Sequence, residues 1–509
     1  MKVYMVLASC YIFLDIVHFR EKIYILSTKG IALLEKYYHM LTEEDISLAL
    51  SFYDYQNHVL TIVNNDNYQD QNKFFTEVLM PAYDNSIMML NRFKEQADEN
   101  LPLNQVFPLF EESWAVNIFY YVYKQEDGML DKRHIQRMRQ LVEQRYLLSK
   151  NSHNEKDPTY LCDKAFYIAY KQRNNELDAH RAFMEINALW ECLPLKKFTN
   201  WEDFNSSAMD AFVLMSFILK QLAKDDEEKH KILVVKLDEI IDTLVGYGSN
   251  NYLEYFVDSF SYIYLIPLIQ YLPDEKQALS HLVKLTIFRQ PQTAVHSIIV
   301  GKCASAILNY MIDDLPELFI DLLDEKTTDE VLKHKEDFLD YISNASLIHD
   351  IGKILCVNVV NMQYRKLIDV EYETIQFHPL SSGEILNQIP QLKCYHDIAV
   401  GHHKSFDDLS GYPKEFHTSQ SRQKLLIDLI SICDSLDAAT DYLGRNYAKS
   451  KSFEDVFAEF ERGKGTRYSD TIVDYIKQKP LLKKELKGLV EKGREDVYSE
   501  VLRKCESIR

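Results

Sequence analysis

A chain of 509 residues is longer than one hydrophobic core organises, and 46% hydrophobic with 27% charged residues describes a folded protein of two or three domains of about 100–200 residues each. The formal charge of −19, from 58 Lys and Arg against 77 Asp and Glu, excludes the clustered cations that bind DNA or RNA backbones, though not a small anionic ligand. The eight Cys are scattered with no CxxC pair, which excludes a disulfide framework and a zinc ribbon and reads as buried free thiols in a cytoplasmic protein.

Val3 to Leu14 is an apolar run, interrupted by Asp15 and His18 well short of the about 20 residues of a spanning helix. It predicts a first buried helix or strand, with a membrane or lipid anchor as the alternative, and no other stretch is read as a bilayer span. From there to about residue 285 apolar residues recur at helical spacing, as in Ala165, Ile168, Ala169 and in Ala179, Ala182, Phe183, Ile186. Helices are predicted over 103–125, 130–149, 158–173, 177–191, 206–223, 228–246, 251–272 and 274–289. Turn chemistry such as Asn154–Pro158, Leu193–Leu195 and Gly248–Asn251 separates them. The helices pair at intervals of roughly 35–45 residues, as helical repeats do. Ala165 to Phe183 loosely resembles a tetratricopeptide repeat; an irregular helical domain is the other reading. Such a surface serves to bind a protein partner.

After about residue 286 the character changes. His349-Asp350-Ile351-Gly352-Lys353 is accompanied by His296, His378, His402-His403 and Asp434. Adjacent His and Asp place an imidazole and a carboxylate beside one gap, and the carboxylate can bridge two cations. Lys353, three residues after Asp350, shares its helix face, and Gly352 lets another backbone or a ligand approach closely. Imidazoles mixed with carboxylate suit Fe, Mn or Zn. A lone histidine such as His281 or His417 is an ordinary core or surface residue, and His396-Asp397, lacking the Ile-Gly-Lys continuation, reads as a pair that caps or covers a helix.

Residues 290–475 resemble an HD-GYP domain, a subgroup of the HD metal-dependent phosphohydrolases. The matching segments, in family order, are His296-Ser297, His349–Lys353, His378-Pro379 with Gly383–Leu386, His402-His403, Gly411-Tyr412-Pro413, Asp434–Ala438 and Arg445-Asn446-Tyr447. The resemblance implies two divalent metal ions, Fe or Mn. His296, His349, Asp350 and Asp434 would hold one, and Asp350 would bridge to the other on His378, His402 and His403. It further implies that Lys353 faces the scissile phosphate, with Asp350 and Lys353 as the catalytic pair. Arg445 would approach a guanine or phosphate, and Gly411, Tyr412 and Pro413 would shape the substrate groove. The implied activity is hydrolysis of cyclic di-GMP to the linear dinucleotide or GMP in bacterial second-messenger signalling. Action on another nucleotide, or a non-catalytic nucleotide-sensing role, stays open.

The chain departs from the family at several points. The usual His-His-Glu is His402-His403-Lys404, and the stretch from His402 to Gly411 is about one residue longer, as is that from His378-Pro379 to Gly383. Gln292 stands where some members carry a metal-binding Glu, which predicts two ions rather than three. Asp313 to Lys335 reads as an inserted loop or lid. The expected architecture is all-α: a helical-repeat-like domain over 1–285 with a regulatory or interaction role, then an HD-type helical bundle over 286–509. A homodimer is compatible with it.

Overall fold

The computed structural model describes residues 1–63, 70–96, 103–124, 132–194, 206–223, 226–246, 266–270, 272, 274–356, 367–443 and 450–508. Among them every regular element is a helix, and the only β-type pairings are two isolated bridges, Lys404 with Gly411 and Lys464 with Tyr468. The all-α expectation is met.

Helix starts follow local capping chemistry. Asp157 accepts from the Thr159 amide with Pro158 in the first turn, Asp178 accepts from the Arg181 amide, and Asp274 from the Gln277 amide. A side-chain oxygen there satisfies a backbone N–H that has no partner within the helix. The helices Pro158–Arg173, Ser206–Leu222 and Glu275–Arg289 therefore lie within a residue of the sequence-predicted bounds. The predicted 251–272 helix falls mostly outside the described residues, with Ile266–Ile269 helical.

The chain divides into two compact units between Lys236 and Leu237, not at 285/286. The reason is that Glu275–Arg289 packs on Pro291–Asp314 and Lys335–Ile348, so its apolar face belongs to the core of the second unit.

The N-terminal unit opens with the helix Lys2–Asp15, which settles the choice between helix and strand. Met5, Ala8 and Ile12 are buried while Val3, Val6, Leu7 and Phe13 are exposed, so the helix is buried on one side only. Asp15 ends it by accepting the His18 amide at 2.9 Å. Further along, Lys132–Ser152, Pro158–Arg173, Ala179–Glu191 and Ser206–Leu222 pack successively, with the small residues Ala165, Ala169 and Ala182 fully buried between them. Trp190 stacks on Phe212 at 4.6 Å and donates its indole N–H to the Phe212 carbonyl at 3.0 Å. Apolar packing and a buried donor are thus met by one side chain.

The second unit is built around Pro291–Asp314, against which Glu275–Arg289, Lys335–Ile348, Lys424–Thr440, Pro480–Val490 and Lys492–Ile508 all pack. By length and composition this helix could cross a membrane, contrary to the expectation that no stretch beyond the N-terminal run could; 72% of its apolar window is buried inside the protein. Asp313 to Lys335 is not an open loop. It folds into Pro316–Phe319 and Thr328–Lys333, and Arg422 binds the Leu322 carbonyl at 3.1 Å and Asp324 at 2.7 Å. Cys162, Cys303, Cys356 and Cys433 are buried free thiols, but Cys10, Cys192 and Cys394 are exposed, so the expected burial holds for only part of the set.

Removing the Trp190 ring should cost about 3–5 kcal/mol. Urea denaturation of the full-length Trp190→Ala variant should show the transition of the N-terminal unit at lower urea, with its unfolding free energy reduced by that amount.

Candidate metal centre

The site collects side chains from the ends and middles of five helices. His296 lies in the second turn of Pro291–Asp314, and His349 caps the C-terminus of Lys335–Ile348. Asp350 leads into the short turn Ile351–Leu355, and His378 opens His378–Gln388. His402 closes His396–Gly401 with His403 following, and Asp434 sits within Lys424–Thr440.

Three of these imidazoles are aimed by one device. The Nδ1 atoms of His349, His378 and His402 lie 2.6, 2.6 and 2.8 Å from the carbonyls of Ser346, Ile375 and Ala399, each three residues earlier. A carbonyl can only accept, so Nδ1 carries the proton and Nε2 keeps its lone pair. Those carbonyls lie in last helical turns, where the regular backbone ladder runs out of donors.

The Nε2 atoms converge on Asp350. His378 Nε2 is 3.0 Å and His402 Nε2 3.5 Å from Oδ1, while His296 Nε2 is 3.5 Å and His349 Nε2 3.6 Å from Oδ2. Asp434 reaches His296 Nε2 at 3.0 Å and His403 Nδ1 at 3.7 Å. Two groups result: His296, His349, Asp350 and Asp434, and Asp350, His378, His402 and His403, each with its ligand atoms within 4.8 Å of one another. Every metal-site residue expected from the sequence is in one of them, and Asp350 alone is in both.

The electrostatics suit a cation. Burial alone would raise the Asp350 carboxyl, but the Lys353 ammonium with His349 and His378 overrides it and holds the group well below the usual carboxylate range. Asp434, likewise pushed up by burial, is brought far down by His403 and His296. Burial pushes His349 down to about 3 and His378 down to about 4, and lowers His403 well below its ordinary value. These rings are neutral at physiological pH, as metal ligands must be. His296 goes the other way, to about 9: burial lowers it, but hydrogen bonds to Asp434 and Asp437 prevail. A metal would take the place of its proton. His349 Nε2 and Asp350 Oδ1 are buried with no hydrogen-bond partner, a cost a metal would remove.

Gly352 explains itself here. A Cβ on it would lie 2.1 Å from the His378 carbonyl oxygen and 2.7 Å from the Ser382 amide, so only glycine lets the His349–Lys353 turn press against the helix bearing His378. Gly411 has φ of +88°, and a Cβ on it would meet the His403 carbonyl at 2.1 Å. The longer connection ahead of it turns at Asp408, in left-handed backbone (φ 59°), whose carboxylate accepts the Thr418 and Ser419 amides at 2.8 and 3.0 Å.

Beside the centre lies a cavity of about 730 Å³, lined among others by His402, His403, Gly411, Tyr412 and Asp434. Pro413 follows Tyr412 through a cis peptide bond and does not line it. Lys353 does not line it either, since its ammonium contacts the Asp350 carboxylate. Arg445 lies outside the described residues. No residue of 313–335 lines the cavity. His396 and Asp397 pair with each other at 2.9 Å, outside both groups.

Two residues were given no role by the sequence reading. Asp437 accepts from His296 Nδ1 at 2.6 Å and is itself paired with the fully buried Arg494 at 2.7 Å. The position of Asp437 three residues after Asp434 on one helix was a usable signal. Arg494, from the helix Lys492–Ile508, gave none.

Residues 321–472 match the HD domain family model. The match begins after His296, which the fold supplies from the preceding helix. A cyclic di-GMP phosphodiesterase of Thermotoga maritima is 31% identical over 147 residues, which is 28% of this chain and 39% of that protein. A cyclic di-GMP phosphodiesterase of Pseudomonas aeruginosa is 32% identical over 97 residues (19% and 23%), and a 3'3'-cGAMP-specific phosphodiesterase of Vibrio cholerae 29% over 103 (20% and 22%). The similar stretches thus span less than two-fifths of each relative. They bear out the likeness to the HD-GYP type. An HD domain implies dependence on divalent metal, and the His and Asp groups fit that requirement.

Arg494→Met removes the guanidinium that pairs with Asp437 Oδ1 and so loosens the carboxylate that orients the His296 ring. Metal affinity should fall about 10–100-fold, read as the ion content of full-length protein dialysed against graded metal.

Proposed function

We propose that the protein is a metal-dependent phosphodiesterase of cyclic dinucleotides, with cyclic di-GMP as the first substrate. The observation that carries this reading is Asp350, one sealed carboxylate shared by two complete ligand groups beside a cavity of the size that holds a small molecule. The names of the three relatives, two on cyclic di-GMP and one on 3'3'-cGAMP, support the substrate class.

His296, His349, Asp350 and Asp434 would hold one ion, and Asp350, His378, His402 and His403 a second, with Fe or Mn favoured by the mixed imidazole and carboxylate set. Two such ions supply Lewis acidity for the phosphoryl oxygens and activate water as a nucleophile at neutral pH. Water adds to phosphorus, one P–O ester bond breaks, and the product is the linear dinucleotide or, after a second cut, GMP. Lys353 would hold positive charge beside the reacting phosphate. Tyr412, packed at 4.7 Å on the His403 ring, offers a face for a base at the mouth of the centre. Gly411 and Pro413 shape the same loop, and Arg445 would contribute a guanidinium.

In this reading the N-terminal unit regulates through a protein partner, with homodimerisation one form of that control; neither ligand group draws on it. The cytoplasm is the fitting compartment, given the free thiols and a second-messenger substrate. The second reading, preference for 3'3'-cGAMP, rests on the Vibrio relative.

Full-length protein prepared anaerobically and loaded with Fe(II) or Mn(II) should hydrolyse cyclic di-GMP, and Asp350→Ala should lower turnover at least about a hundredfold. Chromatography of products from a panel of cyclic di-GMP, 3'3'-cGAMP and nucleoside phosphates checks both. Turnover of 3'3'-cGAMP alone would favour the second reading, and binding without turnover of any of them would oppose the activity.

A further inference from the structure

Lys404 follows the two histidines directly. Its amide donates to the Gly401 carbonyl at 2.9 Å and its backbone bridges to Gly411, which fixes it between the ligand pair and the Gly411–Pro413 loop. The residue is 6% exposed and lines the cavity. The charged neighbours along that wall are committed elsewhere. Lys451 pairs with Glu459 at 2.7 Å, Asp441 with Arg494 at 3.3 Å, and Asp434 belongs to the ligand groups. Arg467 is exposed and stacks on Tyr468. Among the described residues the Lys404 ammonium has no hydrogen-bond or ion-pair partner.

The Lys404 ammonium therefore meets no counter-charge among the described residues and is available to an anion that enters the cavity. Such an arrangement is kept where a ligand brings the missing charge. A cyclic dinucleotide carries two phosphodiesters: the one being cleaved must sit over the metals, and the other stays intact with its charge exposed. Ser410 and Ser431 line the same wall, and their hydroxyls can complete the shell of an anion.

We propose that Lys404 binds the phosphate that is not being cleaved, and so makes this cavity selective for substrates with a second phosphodiester. The inference rests on the phosphodiesterase reading above and names a specificity residue within it.

The test compares two substrates on metal-loaded full-length protein: cyclic di-GMP, and bis(p-nitrophenyl) phosphate, which has one diester only. Lys404→Gln should raise KM for cyclic di-GMP at least about tenfold, as loss of a charged hydrogen bond does, with kcat changed far less. The effect on bis(p-nitrophenyl) phosphate should be smaller by about that factor. Lys404→Arg should recover most of the affinity, and Lys404→Met replaces the Gln variant if that one loses metal or fold. An unchanged KM for cyclic di-GMP overturns the inference, and so does an equal loss on both substrates, which would put Lys404 on the reacting phosphate. Wild-type protein that cleaves bis(p-nitrophenyl) phosphate but neither cyclic dinucleotide overturns the functional reading itself.

Discussion

Ionising a carboxylate that is 1% exposed is unfavourable unless positive charge or strong dipoles surround it, and Asp350 is placed where they do. Lys353 lies three residues away on its own turn, and imidazoles approach from both oxygens, His378 and His402 on one side and His296 and His349 on the other. The rest of the second unit serves this arrangement. Pro291–Asp314 carries His296 through the middle of the core, and Lys424–Thr440 packs on it to bring Asp434 and Asp437 alongside. Gly352 lets the turn bearing Asp350 lie against the helix bearing His378. Moving any of these elements by an ångström would leave a buried charge with fewer partners, at a cost of several kcal/mol.

The placement of ligands at helix ends solves two problems together. A helix terminus buried in a core leaves carbonyls without donors, and an imidazole without a fixed tautomer is a poor ligand. His349, His378 and His402 answer both by donating Nδ1–H to a last-turn carbonyl and turning Nε2 inward. His296 is in mid-helix, where carbonyls are already used. It takes a carboxylate instead, and Asp437 in turn requires Arg494 from the C-terminal helix. The difference in support follows from position along the helix, and it explains why a residue far from the motif is fully buried behind it.

Much of the centre was legible in the sequence because few residue types can hold a metal. Seven such residues around His349–Lys353 left little freedom, and the structure gathers all seven. Helix bounds were legible where Asp157, Asp178 and Asp274 mark the starts. What could not be read were contacts set by tertiary packing alone. The Asp437–Arg494 pair spans 57 positions, and the division of the chain depends on which core Glu275–Arg289 joins. Asp313 to Lys335 looked like a loop because it is polar, but Thr327 caps a helix within it and Arg422 fastens it. Lys404 was visible only as a departure from the His-His-Glu pattern; its burial and lack of a partner are properties of the fold.

The central claim is that one carboxylate joins two metal sites. Anomalous diffraction from crystals of the metal-loaded full-length protein, collected above and below the absorption edge of the loaded ion, tests it most directly. The account predicts two peaks on opposite sides of the Asp350 carboxylate, about 3.5–4 Å apart, one against His296, His349 and Asp434 and the other against His378, His402 and His403. A single peak at full occupancy, or two peaks of which one is not in contact with Asp350, would contradict it.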